Sequence, residues 1–323
     1  MKQISWLAAG GLASYGTARL AAADRCRRFE AVTVPILTFT PHAAAAAAAL
    51  LGSLLLRRRG PAAAAALTGA ALAAVVLPRA TGQPQPQAGG PVLRVITANL
   101  RHGEASAEAV VSLVRRQGAD VLFLQELAEP VVVSRLKQAG LTDLLPHELT
   151  DLGDVGARGR GIYARFRLTG GLHLGPADVA QLTARLELPG GQRADLVCVH
   201  VFRPRPPWWQ ANTVKWRNDL AALPAPAGSA ADPPRVLAGD FNATADHVRF
   251  RRVLRLGHVD AAARVGQGLM PTWGPEPWGR PPLLTLDHVL VDPGCAVQAV
   301  SVHPLPGSDH RAVYAEFRLP SAP

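Results

Sequence analysis

Polar side chains stand at the ends of several apolar stretches, where a purely structural strand has no need of them. Asn99 follows VITA, Gln125 and Glu126 follow VLFL, and His200 follows LVCV. The other examples are Asp240 and Asn242 after VLAG, Asp287 and His288 within LTLDHVLV, and Asp309 and His310 within GSDHRAV. A carboxylate, amide or imidazole among buried apolar strands is costly unless it is paired or bound to a metal. A single case is commonly a cap or a hydrogen-bonded core group, whereas six coordinated cases indicate one shared chemical site.

These residues belong to short motifs that follow one another in a fixed order. The motifs are TANLR with Asn99, LQE with Glu126, VHVFRP with His200, GDFNA with Asp240 and Asn242, PTW with Thr272 and Trp273, LDHVLV with Asp287, and SDHRAV with Asp309 and His310. Over roughly residues 92–318 this set resembles the endonuclease/exonuclease/phosphatase superfamily, which includes deoxyribonuclease I, AP endonucleases, neutral sphingomyelinases and inositol polyphosphate 5-phosphatases. The resemblance implies an α/β (α+β) fold, a four-layer α/β/β/α sandwich, and metal-dependent phosphoester cleavage at one edge.

The implied cofactor is a hard divalent cation, Mg²⁺ or Mn²⁺. Magnesium prefers oxygen ligands and typically touches only one or two carboxylates, several waters and the substrate phosphate. We expect Glu126 to be the principal ligand, with Asn99 and Asp309 beside it. The cation would polarise the phosphoryl oxygen and offset the charge that develops on it.

The remaining motif residues suit proton transfer and positioning. His310 would take a proton from the attacking water, and Asp287 would accept the other imidazole N–H and fix the tautomer. Asp240 and Asn242 would position the water and a phosphate oxygen, and His200 would donate to the phosphoryl group or the leaving oxygen. In the family either the His–Asp pair or the Asp of GDFN has been assigned as the base, and both assignments stay open because such groups titrate together.

Apolar runs between the motifs predict the elements that position them. Ser106 and Gly118 mark the start and stop of a helix. Strands are predicted at 92–98, 121–124, 161–166, 179–188, 194–200, 236–238, 286–291, 297–302 and 312–317, and further helices at 209–223 and 245–256. Many strands interleaved with a few helices favour two sheets packed face to face.

Residues 1–78 have the composition of a membrane region with about three hydrophobic helices, at 4–23, 31–56 and 61–77. A span needs about 20 apolar residues, so the second run is long enough and the third is marginal. The first run is interpreted either as a span or as a signal peptide. Ala-rich soluble helices are the alternative, although runs without a polar face cannot cover a globular surface.

The compact basic turn of Arg57, Arg58 and Arg59 should stay in the cytoplasm. The third run then carries the chain outward, so the expected location is the cell membrane, multi-pass, with an extracytoplasmic catalytic domain. Arg25, Arg27 and Arg28 weaken this charge asymmetry. Residues 79–91, rich in Pro, Gly and Gln, are predicted to be a semi-extended linker to a catalytic domain at 92–323.

The net charge of +10 is concentrated near the N-terminus, because residues 1–91 hold nine basic residues against only Asp24 and Glu30. The rest of the chain is close to neutral, which argues against a broad surface for long nucleic acid. Cys26, Cys198 and Cys295 show no paired spacing and are expected to be free thiols.

The metal-site motifs do not select a substrate, so other features must. The architecture resembles the VanJ-type membrane proteins of actinobacteria, associated with glycopeptide resistance, which implies a polyprenyl-pyrophosphate lipid carrier as substrate. Trp208 and Trp209 after RPRPP would suit a bilayer interface, or would pack under the following helix. A surface-tethered nuclease and a non-catalytic membrane-anchored binding module are the alternatives, and the oligomeric state stays open.

Overall fold

The computed structural model describes residues 2–55, 59–152, 159–171, 173–174, 181–204, 209–229, 231–274 and 281–321. Its helices are α1 Lys2–Leu20, α2 Glu30–Leu37, α3 Thr40–Leu55, α4 Arg59–Val76, α5 Ala107–Gln117, α6 Pro130–Gln138, α7 Leu141–Leu144, α8 Trp209–Ala222, α9 Val248–Arg255 and α10 Ala261–Arg264. Its strands are β1 Val92–Asn99, β2 Val121–Gln125, β3 His147–Asp151, β4 Arg160–Ala164, β5 Leu168–Thr169, β6 His173–Leu174, β7 Gln181–Glu187, β8 Arg193–His200, β9 Arg235–Asp240, β10 Val259–Asp260, β11 Asp287–Val291, β12 Ala296–Pro304 and β13 Arg311–Arg318.

Two mixed sheets pack face to face, as the sequence predicted. The first has the strand order β12-β13-β1-β2-β4-β3 and the second has the order β10-β11-β9-β8-β7-β5, with β6 also paired to β7. One buried cluster, which includes Phe123, Leu196 and Phe317, fills the space between the sheets. A second cluster joins the first sheet to α5, α6 and α7, and a third joins the other sheet to α8 and α9. Helices therefore lie on the outer face of each sheet.

Local signals set the ends of α5. The Ser106 side chain accepts a hydrogen bond from the Ala109 N–H, and Gly118 ends the helix with a left-handed φ of 58°. Both are standard devices for satisfying the unpaired backbone groups of a helix terminus. The predicted strands also form, with ends that differ by one to a few residues.

The sequence did not predict the helices α6, α7 and α10 or several short or edge strands. β3 reads HELTD and has no apolar run, while β5, β6 and β10 are two residues long and cannot show a periodicity. The helix expected from residue 245 begins at Val248 instead. A turn precedes it, in which the His247 N–H donates to the Thr244 carbonyl and the Thr244 N–H donates to His247 Nδ1.

The N-terminal helices differ from the expected three spans. Within the described residues, only the helix at Arg59–Arg79 is long and apolar enough to cross a membrane by itself. The run expected to be the clearest span is broken into α2 and α3, which meet at 61° and pass the same test only as a bent pair. Pro41 explains the break, since a proline ring inside a continuous helix would clash with the carbonyl four residues earlier.

The segment predicted as a linker, residues 79–91, runs along the two-sheet domain. The Gln83 N–H donates to the Arg264 carbonyl, Gln85 Oε1 accepts from the Val297 N–H, and the Gly90 N–H donates to the Leu319 carbonyl. Arg79, where the segment begins, forms an ion pair with Asp246. These contacts hold the last turn of the helical region against the domain.

Candidate active site

The ends of strands from both sheets meet at one edge of the sandwich. In the first sheet β1 and β2 are parallel and Asn99 is opposite Gln125, the residue before Glu126. In the second sheet the parallel pair β8 and β9 sets His200 opposite Asp240. β11 runs antiparallel to β9 and places Asp287 opposite Asp240 as well. The carboxyl ends of parallel strands share an edge, which is why motifs so distant in sequence converge.

Six motif residues form a polar cluster at this edge, namely Asn99, Glu126, Asp240, Asn242, Asp287 and His310. Asp240 lies at the centre of this polar cluster and is almost fully buried. Its Oδ1 accepts from the Asn242 backbone N–H at 2.8 Å, and its Oδ2 accepts from the Asn99 and Asn242 side-chain amides, each at 3.1 Å. The strand that carries Asp240 lies unusually close to the backbone of β8 at Gly239. A Cβ on Gly239 would lie 1.8 Å from the Val199 carbonyl oxygen, so only glycine fits before Asp240.

Asn242 is held in place from three directions. Its φ is +45°, a left-handed conformation that asparagine tolerates better than most residues. Its side-chain amide also donates to the Val201 carbonyl at 2.9 Å, and its backbone carbonyl accepts from Trp216 Nε1 at 3.0 Å. The loop after β9 is therefore rigidly connected to the helix layer behind the second sheet.

His310 and Asp287 form a buried pair. His310 Nδ1 lies 2.9 Å from Asp287 Oδ2, and His310 Nε2 lies 3.8 Å from Asp240 Oδ2. The Thr272 hydroxyl accepts from the Asp287 N–H, and the Ser308 hydroxyl accepts from the His310 N–H. The imidazole thus has one nitrogen bonded to a carboxylate and the other turned towards Asp240.

Burial and neighbouring charges shift the pKa values of Asp240 and His310, which face each other across 3.8 Å. Burial raises the pKa of Asp240 to about 7; the positive charge of His310 opposes that rise, and the negative charge of Asp287 adds to it. For His310 burial alone would lower the pKa, but the charges of Asp287 and Asp240 outweigh it and raise the value to about 10. Two groups so close to each other titrate as one site.

Glu126 forms the opposite wall of the cluster. Its Oε1 accepts from the Asn99 amide at 3.1 Å, its Oε2 accepts from the His102 backbone N–H at 2.7 Å, and His200 Nε2 is 3.8 Å from Oε1. Glu126 has a φ of +55°, which is uncommon for a residue with a long side chain. Strained backbone of this kind is concentrated at functional sites. The Glu126 side chain is 17% exposed and is therefore accessible from solvent.

Asp309, which was expected to assist Glu126 as a metal ligand, is hydrogen-bonded to Trp273. Its Oδ2 accepts from Trp273 Nε1 at 2.9 Å, and the guanidinium of Arg203 lies over the Trp273 ring, 5.3 Å from its centre. The Trp273 backbone also bridges to His310. Asp309 therefore lies beside the cluster, on its aromatic side.

The donor set fits a hard divalent cation. Each Glu126 oxygen keeps a free lone pair after its one hydrogen bond, and the carboxylate faces the open side of the site. A ligand role for Asn99 needs its amide oxygen, which accepts from the Arg101 N–H. Within the described residues, Asp240, Asp287 and His310 also bring ligand-type atoms within 4.8 Å of one another and could hold a metal. The individual roles expected for the eight motif residues remain predictions.

Two contributors were not recognised from the sequence. His102 supplies a backbone N–H to Glu126, and no side-chain pattern could have revealed a backbone donor. His288 was noted within its strand without a role. Its Nδ1 contacts Asp260 at 2.9 Å and its Nε2 contacts the Ala243 carbonyl at 3.0 Å, so it supports the loop that carries Asn242. Trp208 lies outside the described residues, and Trp209 begins α8.

The sequence profile of the endonuclease/exonuclease/phosphatase family matches residues 96–310, and the chain belongs to this family. Family members are typically hydrolases that act on phosphoester bonds, nucleases and phosphatases among them. No curated protein matches the chain.

Solved structures share the fold at low sequence identity. An endonuclease/exonuclease/phosphatase from Beutenbergia cavernae is 22% identical, with a TM-score of 0.56 and coverage of 72% of each chain. An AP endonuclease from Archaeoglobus fulgidus is 14% identical, with a TM-score of 0.54 over 69% of this chain and 98% of that one. The 3′ phosphatase NExo from Neisseria, bound to a product DNA hairpin, is 20% identical, with a TM-score of 0.52 over 70% of this chain and 99% of that one.

Proposed function

We propose that this protein is a membrane-anchored, divalent-metal-dependent phosphohydrolase that acts on an extracytoplasmic phosphoester or pyrophosphate. The observation that carries the proposal is the convergence of Asn99, Glu126, Asp240, Asn242, Asp287 and His310 in one cluster at the sandwich edge. A structural core has no use for three carboxylates and an imidazole within a few ångströms of one another, because each buried charge is costly.

In the proposed mechanism the attacking water gives its proton to the Asp240–His310 pair. Asp240 Oδ2 and His310 Nε2 face each other at 3.8 Å, and Asp287 holds the other imidazole nitrogen and so sets the orientation of the ring. A pair that shares its titration can take up a proton at one atom while the other remains charged. Activity should therefore depend on both members of the pair.

The other residues would position the substrate. Both N–H groups of the Asn242 side chain already donate, to the Val201 carbonyl and to Asp240, so its amide oxygen would accept from the attacking water beside Asp240. His200 stands at the end of β8 near Glu126 and would donate a proton to the leaving oxygen. A divalent cation, Mg²⁺ or Mn²⁺, held by Glu126 with Asn99 and Asp309 beside it, would withdraw charge from the phosphoryl group.

The distribution of exposed apolar side chains supports membrane anchoring. All but three of the exposed large hydrophobic residues in the described part of the chain belong to the N-terminal helical region: Ile4, Trp6, Leu7, Leu20, Phe29, Val32, Ile36, Phe39, Leu67 and Leu77. α1 has 19 residues but is not apolar enough to cross a membrane by itself. α4, which is, has 18 residues, so it is about 27 Å long at roughly 1.5 Å per residue. This is close to the hydrocarbon thickness of a bilayer, about 30 Å.

The proposed orientation follows from the direction of α4. This helix begins at Arg59, the last residue of the basic turn, and ends where Arg79 pairs with Asp246 of the catalytic domain. If the basic turn stays in the cytoplasm, the domain lies on the other side. Arg19 and Arg79 share the carboxylate of Asp246, so part of the positive charge at the domain end is neutralised.

We favour a lipid-linked substrate, with a polyprenyl pyrophosphate as the first candidate. The helical region contacts the loop that follows Asp240 and carries Asn242, through Asp246 and His247 of the same loop. This contact keeps the cluster near the membrane surface. A surface-tethered nuclease is the second candidate, since one protein of similar fold is described with product DNA bound and another is an AP endonuclease.

A substrate panel tests the proposal. The full chain, purified in detergent with Mg²⁺, is given a polyprenyl pyrophosphate, a phospholipid and duplex DNA, and Asp240→Asn serves as the inactive control. We expect phosphate release from the lipid pyrophosphate that EDTA abolishes. Cleavage of DNA alone, falling steeply with salt, would establish the nuclease instead. No hydrolysis of any substrate would leave a membrane-anchored binding module.

A further inference from the structure

A basic cavity lies where the helical region meets the catalytic domain. It is about 520 Å³ in volume, and it is lined by the C-terminal ends of α1 and α4 and by one face of α9. Its floor includes Ala245, in the loop that follows Asn242. It is separate from the metal and proton-transfer cluster, since none of the motif residues lines it.

Five arginines line this cavity, namely Arg19, Arg25, Arg79, Arg251 and Arg255. Arg19 and Arg79 are both paired with Asp246, which leaves one carboxylate for two guanidinium groups. Arg251 donates to the carbonyls of Ala245 and Asp246 and not to a carboxylate. In the described part of the chain neither Arg25 nor Arg255 has an acidic side chain within ion-pair distance. The carboxylates at the cavity are Asp246, Asp260, which is paired with His288, and Asp24, so five arginines face three acids and the wall carries surplus positive charge.

The crowding of these guanidinium groups is unfavourable without an anion. Burial, together with the like charge of Arg19, lowers the pKa of Arg251 to about 10. The charges of Asp24 and Asp246 offset part of this repulsion. One Asp24 oxygen accepts from the Val248 N–H at 2.5 Å, and the other has no hydrogen-bond partner in the described residues. Arginine forks are suited to phosphate oxygens, which they bind through two parallel hydrogen bonds. A phosphate group in the cavity would relieve the repulsion.

The position of the cavity at the ends of the helices indicates which kind of phosphate compound it would bind. α1 and α4 run in the same direction, because a Cβ on Gly60 would meet Trp6 and a Cβ on Gly16 would meet Thr68. Both helices end at the cavity, at the level where their apolar stretches stop. Leu20, Val75 and Leu254 add apolar wall beside the arginines. A lipid headgroup with the first carbons of its chains matches this combination of charge and apolar surface.

We propose that this cavity binds the phosphodiester of an anionic phospholipid from the bilayer around the helices. The proposal rests on the membrane anchoring proposed above and is independent of the hydrolytic reaction. A bound lipid would join α1 and α4 to α9 and so secure the loop that follows Asp240 on its outer side. The occupant is a resident lipid and not the substrate, because the cavity is lined by none of the residues of the cluster.

The test measures binding by the full chain in a nonionic detergent with EDTA, so that no hydrolysis takes place. Short-chain phosphatidylglycerol, short-chain phosphatidylcholine and inorganic phosphate are each titrated, and the rise in unfolding temperature is recorded. We expect phosphatidylglycerol to reach its half-maximal shift at a lower concentration than either of the others. Equal effects of phosphatidylglycerol and phosphatidylcholine, or of phosphatidylglycerol and phosphate, would overturn the proposal.

A matched pair of double variants locates the binding. Arg25→Gln with Arg255→Gln removes two exposed cavity arginines that hold no ion pair, and should weaken phosphatidylglycerol binding by about tenfold or more. Arg27→Gln with Arg252→Gln removes the same charge from the same two segments, at positions that do not line the cavity, and should change binding less than about twofold. Equal losses in both variants would show diffuse attraction and refute the site.

Hydrolysis and lipid binding can fail separately. A chain that prefers phosphatidylglycerol but cleaves no substrate in the panel keeps this site and loses the proposed function. A chain that cleaves its substrate but shows no preference for phosphatidylglycerol keeps the proposed function and loses this site.

Discussion

Asp240, at the end of β9, and Asp246, in the loop that follows, are two buried carboxylates whose surroundings differ. Asp240 is met by amide donors and by two other acids, Asp287 and Glu126, and its pKa is raised to about 7. For Asp246 burial would also raise the pKa, but Arg79 and Arg19 outweigh it and hold the pKa below its usual range. Asp240 can therefore gain or lose a proton near neutral pH, whereas Asp246 is charged there.

The difference shows how one segment serves two purposes. At its start, burial and incomplete charge compensation raise the pKa of Asp240, and groups with shifted pKa values are characteristic of catalytic sites. Towards its end, a carboxylate shared by two arginines fastens α1 and the end of α4 to the domain. Glu30 of α2 repeats this arrangement with Arg217 and Arg249. Reactivity and attachment are thus adjacent but chemically distinct.

The largest expected effect is on turnover when Asp240 is neutralised. Asp240→Asn keeps the shape of the side chain and removes its proton-accepting oxygen, so kcat should fall by about 10²–10⁴-fold. The measurement is hydrolysis of the substrate found in the panel, at saturating metal. Asp195→Asn, which breaks an ion pair with Arg185 away from the cluster, is the control and should keep near wild-type turnover. Retained activity in Asp240→Asn would remove the reactive half of the comparison.

Neutralising Asp246 should act on stability instead. Asp246→Asn leaves Arg19 and Arg79 buried without a counter-charge, which should cost about 3–5 kcal/mol. Thermal or urea unfolding of the full chain in detergent gives this value. Ser106→Ala, which removes the cap of α5, should cost only about 1 kcal/mol. An Asp246→Asn loss no larger than that of Ser106→Ala would contradict the fastening role.

Glu126 should control metal affinity. Glu126→Gln removes the carboxylate that faces the open side of the site, so the Mg²⁺ concentration for half-maximal activity should rise by about tenfold or more. Exposed Glu129, replaced by Gln, should leave that concentration unchanged. If Asp287→Asn raises it and Glu126→Gln does not, the cation is held by the Asp240, Asp287 and His310 group.

The smallest expected effects concern how the stability of the metal-free chain changes with pH. Asp240 and Asp246 should act in opposite directions, because the pKa of the first is raised and that of the second is lowered. The pKa of Asp246 is lower in the folded chain than in the unfolded one, so its contribution is complete above about pH 4 and is lost as the pH falls through the folded-state value. The pKa of Asp240 is raised, so its contribution should grow as the pH falls from about 7 to about 4.

Unfolding temperatures in EDTA, measured between about pH 3 and 8, test both slopes. Asp246→Asn should reduce the acid-side loss, to which Asp260 and Glu316 also contribute because their pKa values are lowered too, and Asp240→Asn should reduce the gain between about pH 7 and 4. Curves that run parallel to wild type in both variants would show that neither carboxylate has the shifted pKa described above.

Much of the catalytic domain could be predicted because its signals are local. Ser106 and Gly118 act on the helix that lies between them, and the apolar runs of β1, β2, β8 and β9 are long enough to be recognised. The convergence of the motifs at one edge of the sandwich was implied by the resemblance. The short edge strands carried no such signal.

The attachment of the helical region could not be predicted in the same way. Arg19 and Asp246 are 227 positions apart, and no periodicity links them. α2 was interpreted as part of a membrane span because it is apolar, yet Val34 packs in the core behind the second sheet and Glu30 pairs with two arginines of the domain. Its opposite face, with Val32 and Ile36, is exposed.

The amino-acid sequence by itself determined which residue types are available for chemistry, where most strands and helices form, and the family. These depend on side-chain chemistry, on periodicity and on caps, all of which act over a few residues. Tertiary structure decided which carboxylate has a raised pKa and which is paired with arginines, and it formed the arginine cavity at the junction. Those properties depend on the charges that burial brings together, and only the folded chain places Asp240 among acids and Asp246 between arginines.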